Sequence, residues 1–404
     1  MNGVRFEKMK TKIAYIHDGN NSYDRLFLDY FKKRYDVCLI TLEQSPKEVP
    51  KGVKAIRFFD VASTLLRSTV DESQSTTSLG WRGASVRVFL SQLQTPLRAF
   101  FLRRCISSIR PQIIIGGWAT TYGLYAALTG FNPFILFVWG SDIMIMPKKH
   151  RFLKLPVKYA LSRASAVLVD SEIQKKEAMQ LGVPEERILM FPWFDSKLYK
   201  NWGSQGVKYR RIIRDKLGWE DKVIVISSRK HYPIYNIECL INAIPLVTKE
   251  EDQVRFLILG HGDLSQKLKK QVEASGVAEY VLFVGEVPRN QVSKYLNAAD
   301  IYVSTSLSDG TSASLLEAMV CSLPSVVTSI PGNLEWVKDH YNGLTFHPGN
   351  SEELASKIIL LSRDENLREK LGKRGNELVT KKVDWERNMR LLDDCIARLT
   401  QKQS

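Results

Sequence analysis

Short apolar runs rich in β-branched residues alternate with amphipathic stretches along this chain, and that alternation admits few folds. In the C-terminal half the runs fall at 223–227, 256–260, 281–284, 301–304 and 325–328, with helices expected to begin near Ile237, Leu264, Arg289, Ala313 and Glu352. Repeated strand–helix units of this kind wind around a parallel sheet, and ligands gather where the strands end. The N-terminal half keeps the same rhythm less cleanly, with strands expected at 12–16, 37–41, 112–115, 134–138 and 166–169. The reading is an α/β chain with two doubly wound sheets. At 404 residues it exceeds the size at which one hydrophobic core stops growing. Residues 1–200 and 201–383 are expected to be the two domains, with a last helix at about 384–404 packing back on the first. Residues 197–219 lack a clear period and read as the hinge.

Several classes are excluded on composition. The chain is 44% hydrophobic and 25% charged, which is ordinary for a globular protein. Residues 111–141 carry no charge before Asp142 and are long enough to span a bilayer. Gly116, Gly117, Gly130 and Pro133 interrupt them, so they read as strand, helix and strand buried in a parallel sheet. The five cysteines are scattered, without a C-x-x-C pair, which points to a reducing compartment and no zinc site. The apolar stretch at 13–16 is too short for a signal peptide, so a cytoplasmic protein is expected.

The segment IYVSTSLSDGTSASLLEAMVCSLPSVVTSIPGN, 301–333, carries the chemistry. It reads strand, polar turn, helix, strand and a second turn. Asp309, Gly310, Thr311 and Ser312 occupy the first turn, where the following helix would present free N–H groups and its positive dipole end to an anion. The Thr311 and Ser312 hydroxyls either cap that helix or bind phosphate oxygens. Leu315, Leu316, Met319 and Val320 form its apolar face, so Glu317 should point elsewhere, with ribose hydroxyls as natural partners.

Asp309 and Glu317 eight residues apart, then EAM, Pro324 and the turn Gly332, Asn333, Glu335, resemble the retaining glycosyltransferases of family 4, which have the GT-B fold. The resemblance implies two Rossmann-like domains facing a cleft, a nucleoside-diphosphate sugar as donor with a UDP-sugar favoured, and no required cofactor or metal. It implies that Asp309 contacts the donor sugar and Glu317 the ribose. Gly260 and Gly262 resemble the family's strand-end glycine turn, and VLFVGEVPRNQVSKYLNAAD its base-binding loop, which would put Val287 and Pro288 near the nucleobase. Arg229 matches the arginine that neutralises the leaving diphosphate. The family lysine about five residues later is missing, its place taken by Tyr235 and Asn236, and Lys230 is the nearby substitute.

In the first half, Trp139 stands before Gly140, Ser141 and Asp142, where many relatives have a histidine, and a tryptophan relays no proton. His17 and Gly19 stand where relatives carry a glycine-rich turn, His17 being either functional or a polar strand-end residue. Trp139, Ser141, Asp142, His17 and Gly19 are therefore expected on the acceptor side.

The formal net charge of +15 is lopsided: the first 200 residues hold 30 Lys and Arg against 17 Asp and Glu, the rest 28 against 26. From Arg82 to Arg163 there are 12 basic residues and one acid, Asp142. Trp81, Phe89, Leu90, Leu93, Leu97, Phe100 and Phe101 are interleaved with five arginines by Arg104, a pattern shared by interfacial helices and by ordinary amphipathic ones. An anionic membrane surface is the expected partner, met through Arg98, Arg103 and Arg104, and no nucleic acid is expected because no recognition motif is present. The function implied is transfer of a sugar, with retention, to a glycan or lipid-linked acceptor in cell-surface polysaccharide or glycolipid synthesis, by a cytoplasmic protein peripheral on the membrane's inner face. A sugar-nucleotide epimerase of the same fold, or a non-catalytic membrane-bound subunit, is the alternative.

Overall fold

The computed structural model describes residues 10–20, 22–43, 46–47, 49–58, 93–195, 199 and 204–401. They form two units. The first takes in the chain to Asp170, Gln174–Phe191 and the chain from Met389, and the second takes in Ser171–Ile173 and Pro192–Asn388.

In the first unit seven strands make one parallel sheet: β1 (Lys12–Ile16), β2 (Asp36–Thr41), β3 (Lys54–Arg57), β4 (Ile113–Gly117), β5 (Phe134–Phe137), β6 (Ala166–Val169) and β7 (Ile188–Met190). Their order is β3-β2-β1-β4-β5-β6-β7. β1, β4, β5 and β6 are apolar and almost wholly buried, as strands covered on both faces must be. The uncharged stretch is strand, helix (Tyr122–Leu128) and strand, and among the described residues no helix is long and apolar enough to cross a membrane. The helices Thr95–Ile109 and Lys154–Arg163 flank the Tyr122–Leu128 helix as one layer. From the last helix, Asp393 accepts hydrogen bonds from the Tyr30 and Tyr35 hydroxyls, at 2.6 and 2.7 Å.

The second unit repeats the plan with six parallel strands: β8 (Val223–Ser227), β9 (Val254–Leu259), β10 (Val281–Gly285), β11 (Ile301–Ser304), β12 (Ser325–Thr328) and β13 (Leu344–Phe346), in the order β10-β9-β8-β11-β12-β13. In both sheets the chain winds outward one way and then the other, so the order reverses between β1 and β4 and between β8 and β11. Two parallel sheets of this kind, each a Rossmann-like domain, constitute the GT-B fold.

The strands that patterning does not foretell are β3, β7 and β13, all at sheet edges. They have four, three and three residues, too short for a periodic or apolar run to set them apart from their surroundings. The expected hinge at 197–219 is corrected over most of its length, because Ser204–Leu217 is a helix. Its inward positions are Gly206, Tyr209, Arg210, Ile213, Arg214 and Leu217, which have helical spacing but mixed polarity. Arg210 and Arg214 both grip the Asp300 carboxylate just before β11, so a salt bridge does what an apolar stripe usually does.

Candidate active site

Sheet order reverses between β8 and β11, and the second unit's polar turns meet beyond the C-terminal ends of these strands. Arg229, two residues past β8, is 7% exposed. Its Nη1 donates to Ser312 Oγ and Ser314 Oγ, each at 2.8 Å, and its Nη2 to Asp309 Oδ2 at 2.5 Å. Its guanidinium lies 4.1 Å from the centroid of the Tyr235 ring. Tyr302, from within β11, donates its hydroxyl to Ser314 Oγ at 2.8 Å. Burial works against the Arg229 charge, but Asp309 together with Tyr235 and Tyr302 outweighs it and holds the guanidinium pKa above its ordinary value. Around this network Arg229 Nε, Ser227 Oγ, Ser228 Oγ and His231 Nε2 are buried without a hydrogen-bond partner in the protein. Buried polar atoms are costly to leave unmet, so a cluster of them marks a place built for a polar guest.

Close backbone packing assembles the turns. Gly260 has φ +105°, and a Cβ there would lie 2.3 Å from the Arg229 carbonyl oxygen; a Cβ on Gly262 would lie 2.7 Å from that of His231. The expected glycine turn thus lies directly against the segment carrying Arg229. A Cβ on Gly332 would meet the Asp309 carbonyl oxygen at 2.4 Å, which ties the second turn of the 301–333 segment to the first. Gly310 is buried between them.

Of the two roles open to the Ser312 hydroxyl, capping is not the one taken. Ser312 is the N-cap residue of the helix Ala313–Val320, yet its side chain makes no cap hydrogen bond and accepts from Arg229 instead. Thr311 beside it is half-buried. Glu317 leaves the apolar face, as its spacing implies, but is half-buried beside Tyr199 and Arg289. Burial raises its carboxyl pKa, while Arg289 and a hydrogen bond with Tyr199 pull it back. Arg289 Nε in turn donates to the Tyr199 hydroxyl at 3.0 Å. Arg289 opens the helix Arg289–Ala298, whose N-cap is Pro288, so the Val287–Pro288 segment reaches the vicinity of Glu317. Lys230 is exposed and absent from the Arg229 network, while the Tyr235 ring underlies the guanidinium. At this spot the described neighbour of the guanidinium is an aromatic face.

In the first unit the sequence-predicted residues lie at the β1–β4 reversal. His17 follows β1 and is fully buried. Its Nδ1 lies 2.7 Å from Asp24 Oδ2 and 3.1 Å from Asp18 Oδ1, and Asp24 also accepts from the Tyr15 hydroxyl at 2.8 Å and the Gly19 N–H at 3.1 Å. These carboxylates fix a geometry that spacing alone leaves open. Burial disfavours the imidazolium, but Asp24 and Asp18 raise the His17 pKa to about 9. His17, Asp18 and Asp24 each offer a ligand atom within 4.8 Å of the others. At 2.7 Å, however, the imidazole–Asp24 contact has the length of a charge-assisted hydrogen bond, and a proton joins the pair. Trp139 packs 5.0 Å from the His17 ring and stacks on Trp118 at 5.9 Å. A histidine is thus present in this patch, just past β1 and not at position 139.

Two expectations are corrected. Asp142, placed on the acceptor side from its motif, is fully buried and accepts from the Ala119 N–H at 2.7 Å and the Trp139 N–H at 3.0 Å. Burial pushes its pKa up to about 6, against those backbone donors. It is taken up in shaping the Trp139 turn; Ser141 beside it is half-buried. Arg98, expected at a membrane, donates inward to Tyr125 Oη at 2.9 Å and Gln94 Oε1 at 2.7 Å, whereas Arg103 and Arg104 are exposed. Residues 82–92 lie outside the described residues. Asp18, Asp24, Tyr199, Arg289, Tyr302 and Ser314 escape sequence reasoning; Ser314, two residues beyond Ser312, carries the one usable signal.

Residues 209–378 match the family described as glycosyl transferases group 1, and residues 12–171 match glycosyl transferase 4-like. The chain is 27% identical over 226 residues to an uncharacterised glycosyltransferase of Methanocaldococcus jannaschii, covering 54% of this chain and 56% of that protein. Over 167 residues it is 30% identical to the poly(ribitol-phosphate) alpha-N-acetylglucosaminyltransferase of Staphylococcus aureus, covering 41% of this chain and 33% of that one. The chain spans about half the length of the curated relatives it matches. Among solved structures, Anabaena HepE in complex with UDP and glucose superposes with a TM-score of 0.73 at 18% identity, covering 96% of this chain and 99% of that one, a likeness of fold.

Proposed function

Residues 12–171 match the glycosyl transferase 4-like model and residues 209–378 the group 1 model, and from that premise we propose that the chain transfers a sugar from a nucleoside diphosphate to an acceptor hydroxyl with retention of anomeric configuration. The observation that carries the reading is the buried Arg229, held by Asp309, Ser312 and Ser314 at the N-terminus of the Ala313–Val320 helix. A fixed cation and free helix N–H groups at one point favour a diphosphate, and most favour it as it gains charge on leaving.

In this reading the bond from the anomeric carbon to the diphosphate oxygen breaks, a bond to the acceptor oxygen forms on the same face, and the acceptor proton passes to the departing diphosphate. Arg229 is preorganised for that charge, because its hydrogen bonds and the Tyr235 ring fix it before any ligand arrives. Asp309, drawn to Arg229 by one oxygen, faces the donor sugar. Glu317 with Tyr199 and Arg289 holds the ribose and the start of the base-binding loop. UDP is the first nucleotide to try, and a glycan or lipid-linked hydroxyl in cell-surface polysaccharide or glycolipid synthesis the acceptor class. The test is a screen of nucleotide sugars for slow hydrolysis, with the anomeric form of the released sugar read by NMR. Release first as the donor's own anomer from one sugar nucleotide is expected; inverted product, or no turnover with any donor, overturns the proposal.

A further inference from the structure

Most of the first unit's excess of base over acid falls in residues 93–163, which carry the helical layer formed by Thr95–Ile109, Tyr122–Leu128 and Lys154–Arg163. From 93 to 163 the only acid is Asp142, and it is buried. Lys149, Arg151, Lys154, Lys158 and Arg163 are all exposed. Among them stand large apolar side chains turned to solvent: Leu155 at 77% exposure, with Phe152 and Tyr159. On the neighbouring helix Phe100 is 54% exposed beside Arg103 and Arg104. Along the Lys154–Arg163 helix the exposed positions pair at i,i+4, Lys154 with Lys158 and Leu155 with Tyr159. In water the first pair repels and the second wets apolar surface.

We propose that the segment Lys148–Arg163, with Phe100, Arg103 and Arg104 beside it, is a docking surface for an anionic lipid bilayer. Charge complementarity selects the headgroups: Arg151, Lys154, Lys158 and Arg163 are exposed and have no acid on their own elements, while Lys148 is paired with Glu177 at 2.8 Å. The apolar side chains decide between lipid and other polyanions, because Leu155, Phe152 and Phe100 gain from an acyl boundary and nothing from a soluble acidic glycan. Arg98, bound inward to Tyr125 and Gln94, supports the layer and does not touch lipid. The surface belongs wholly to the first unit and is separate from the Arg229 network.

The test is flotation of the full chain with vesicles of phosphatidylcholine alone or mixed with phosphatidylglycerol, at low and raised salt. The wild type is expected to bind only the anionic vesicles and to release as salt rises. Lys154→Ala with Lys158→Ala should weaken partitioning about twenty-fivefold, at roughly fivefold per charge. Phe152→Ser with Leu155→Ser should bind at low salt but release at salt concentrations the wild type withstands. All four positions are exposed, and unchanged thermal melts will confirm folding. A wild type that ignores anionic vesicles at low salt overturns the proposal. So does a Phe152→Ser, Leu155→Ser variant that binds as the wild type does while a sulfated glycan displaces both, since the face then reads charge alone. Flotation measures no sugar transfer, so its failure leaves the transferase reading standing, and failure of that reading leaves the surface standing.

Discussion

Arg229 and Asp309, eighty residues apart, share a 2.5 Å hydrogen bond where β8 and β11 end side by side. The resemblance implies separate tasks for them, diphosphate for the arginine and sugar for the acid. The bond joins the tasks: each residue positions the other, and the sheet reversal that brings β8 beside β11 makes the pairing possible.

Breaking this pair should therefore show coupling. Arg229→Ala leaves Asp309 without its cation, and Asp309→Ala leaves a buried guanidinium, so each should cost on the order of 3 kcal/mol of stability. The double variant should cost clearly less than the sum, as urea unfolding will measure. In turnover, Arg229→Ala should lower kcat by far more than it lowers UDP affinity. Additive stabilities would mean that the ion pair contributes nothing.

Glu317→Ala should weaken UDP binding at least about tenfold, or ~1.4 kcal/mol by titration calorimetry, while the melting transition stays cooperative. Tyr199→Phe removes the hydroxyl that Glu317 and Arg289 share and should produce a smaller loss in the same direction. Unaltered UDP affinity in a folded Glu317→Ala variant would remove Glu317 from the ribose site.

The His17 pair makes stability depend on alkaline pH. Its pKa is raised from 6.5 to about 9 in the fold, so its contribution is complete below about pH 6.5 and disappears as pH climbs through about 9. Unfolding free energy should decline across that window, and His17→Gln should flatten the decline. An identical slope in the variant would assign it to other groups.

Gly260→Ala should destabilise the second unit much more than Gly276→Ala. Both glycines have positive φ, but a Cβ at 276 meets nothing, whereas at 260 it collides with the Arg229 carbonyl oxygen. The control should cost about 1 kcal/mol and Gly260→Ala at least twice that, with donor binding lost in parallel. Equal costs would show that the Arg229 turn can yield.

The central strands were readable because a parallel strand buried on both faces must be apolar throughout, as Ile13–Ile16 and Ile224–Ile226 are. The turn at 309–312 was readable because Asp, Gly, Thr and Ser in front of an apolar helical stripe have few other uses. What escaped lies where chemistry replaces pattern: the Ser204–Leu217 helix, whose arginines grip Asp300, and the edge strands β3, β7 and β13.

The sequence by itself determined the α/β class, the positions of its main strands along the chain and the polar turn at 309–312 ahead of an apolar helix, because burial and backbone chemistry act locally and leave a local mark. Only the tertiary structure decided that Ser312 serves Arg229 and not its own helix, that Asp142 and Arg98 turn inward, and that His17 is bound by Asp24. Each of those outcomes depends on which side chain from another part of the chain stands within about 3 Å, the reach of a hydrogen bond, and spacing along a chain does not encode that.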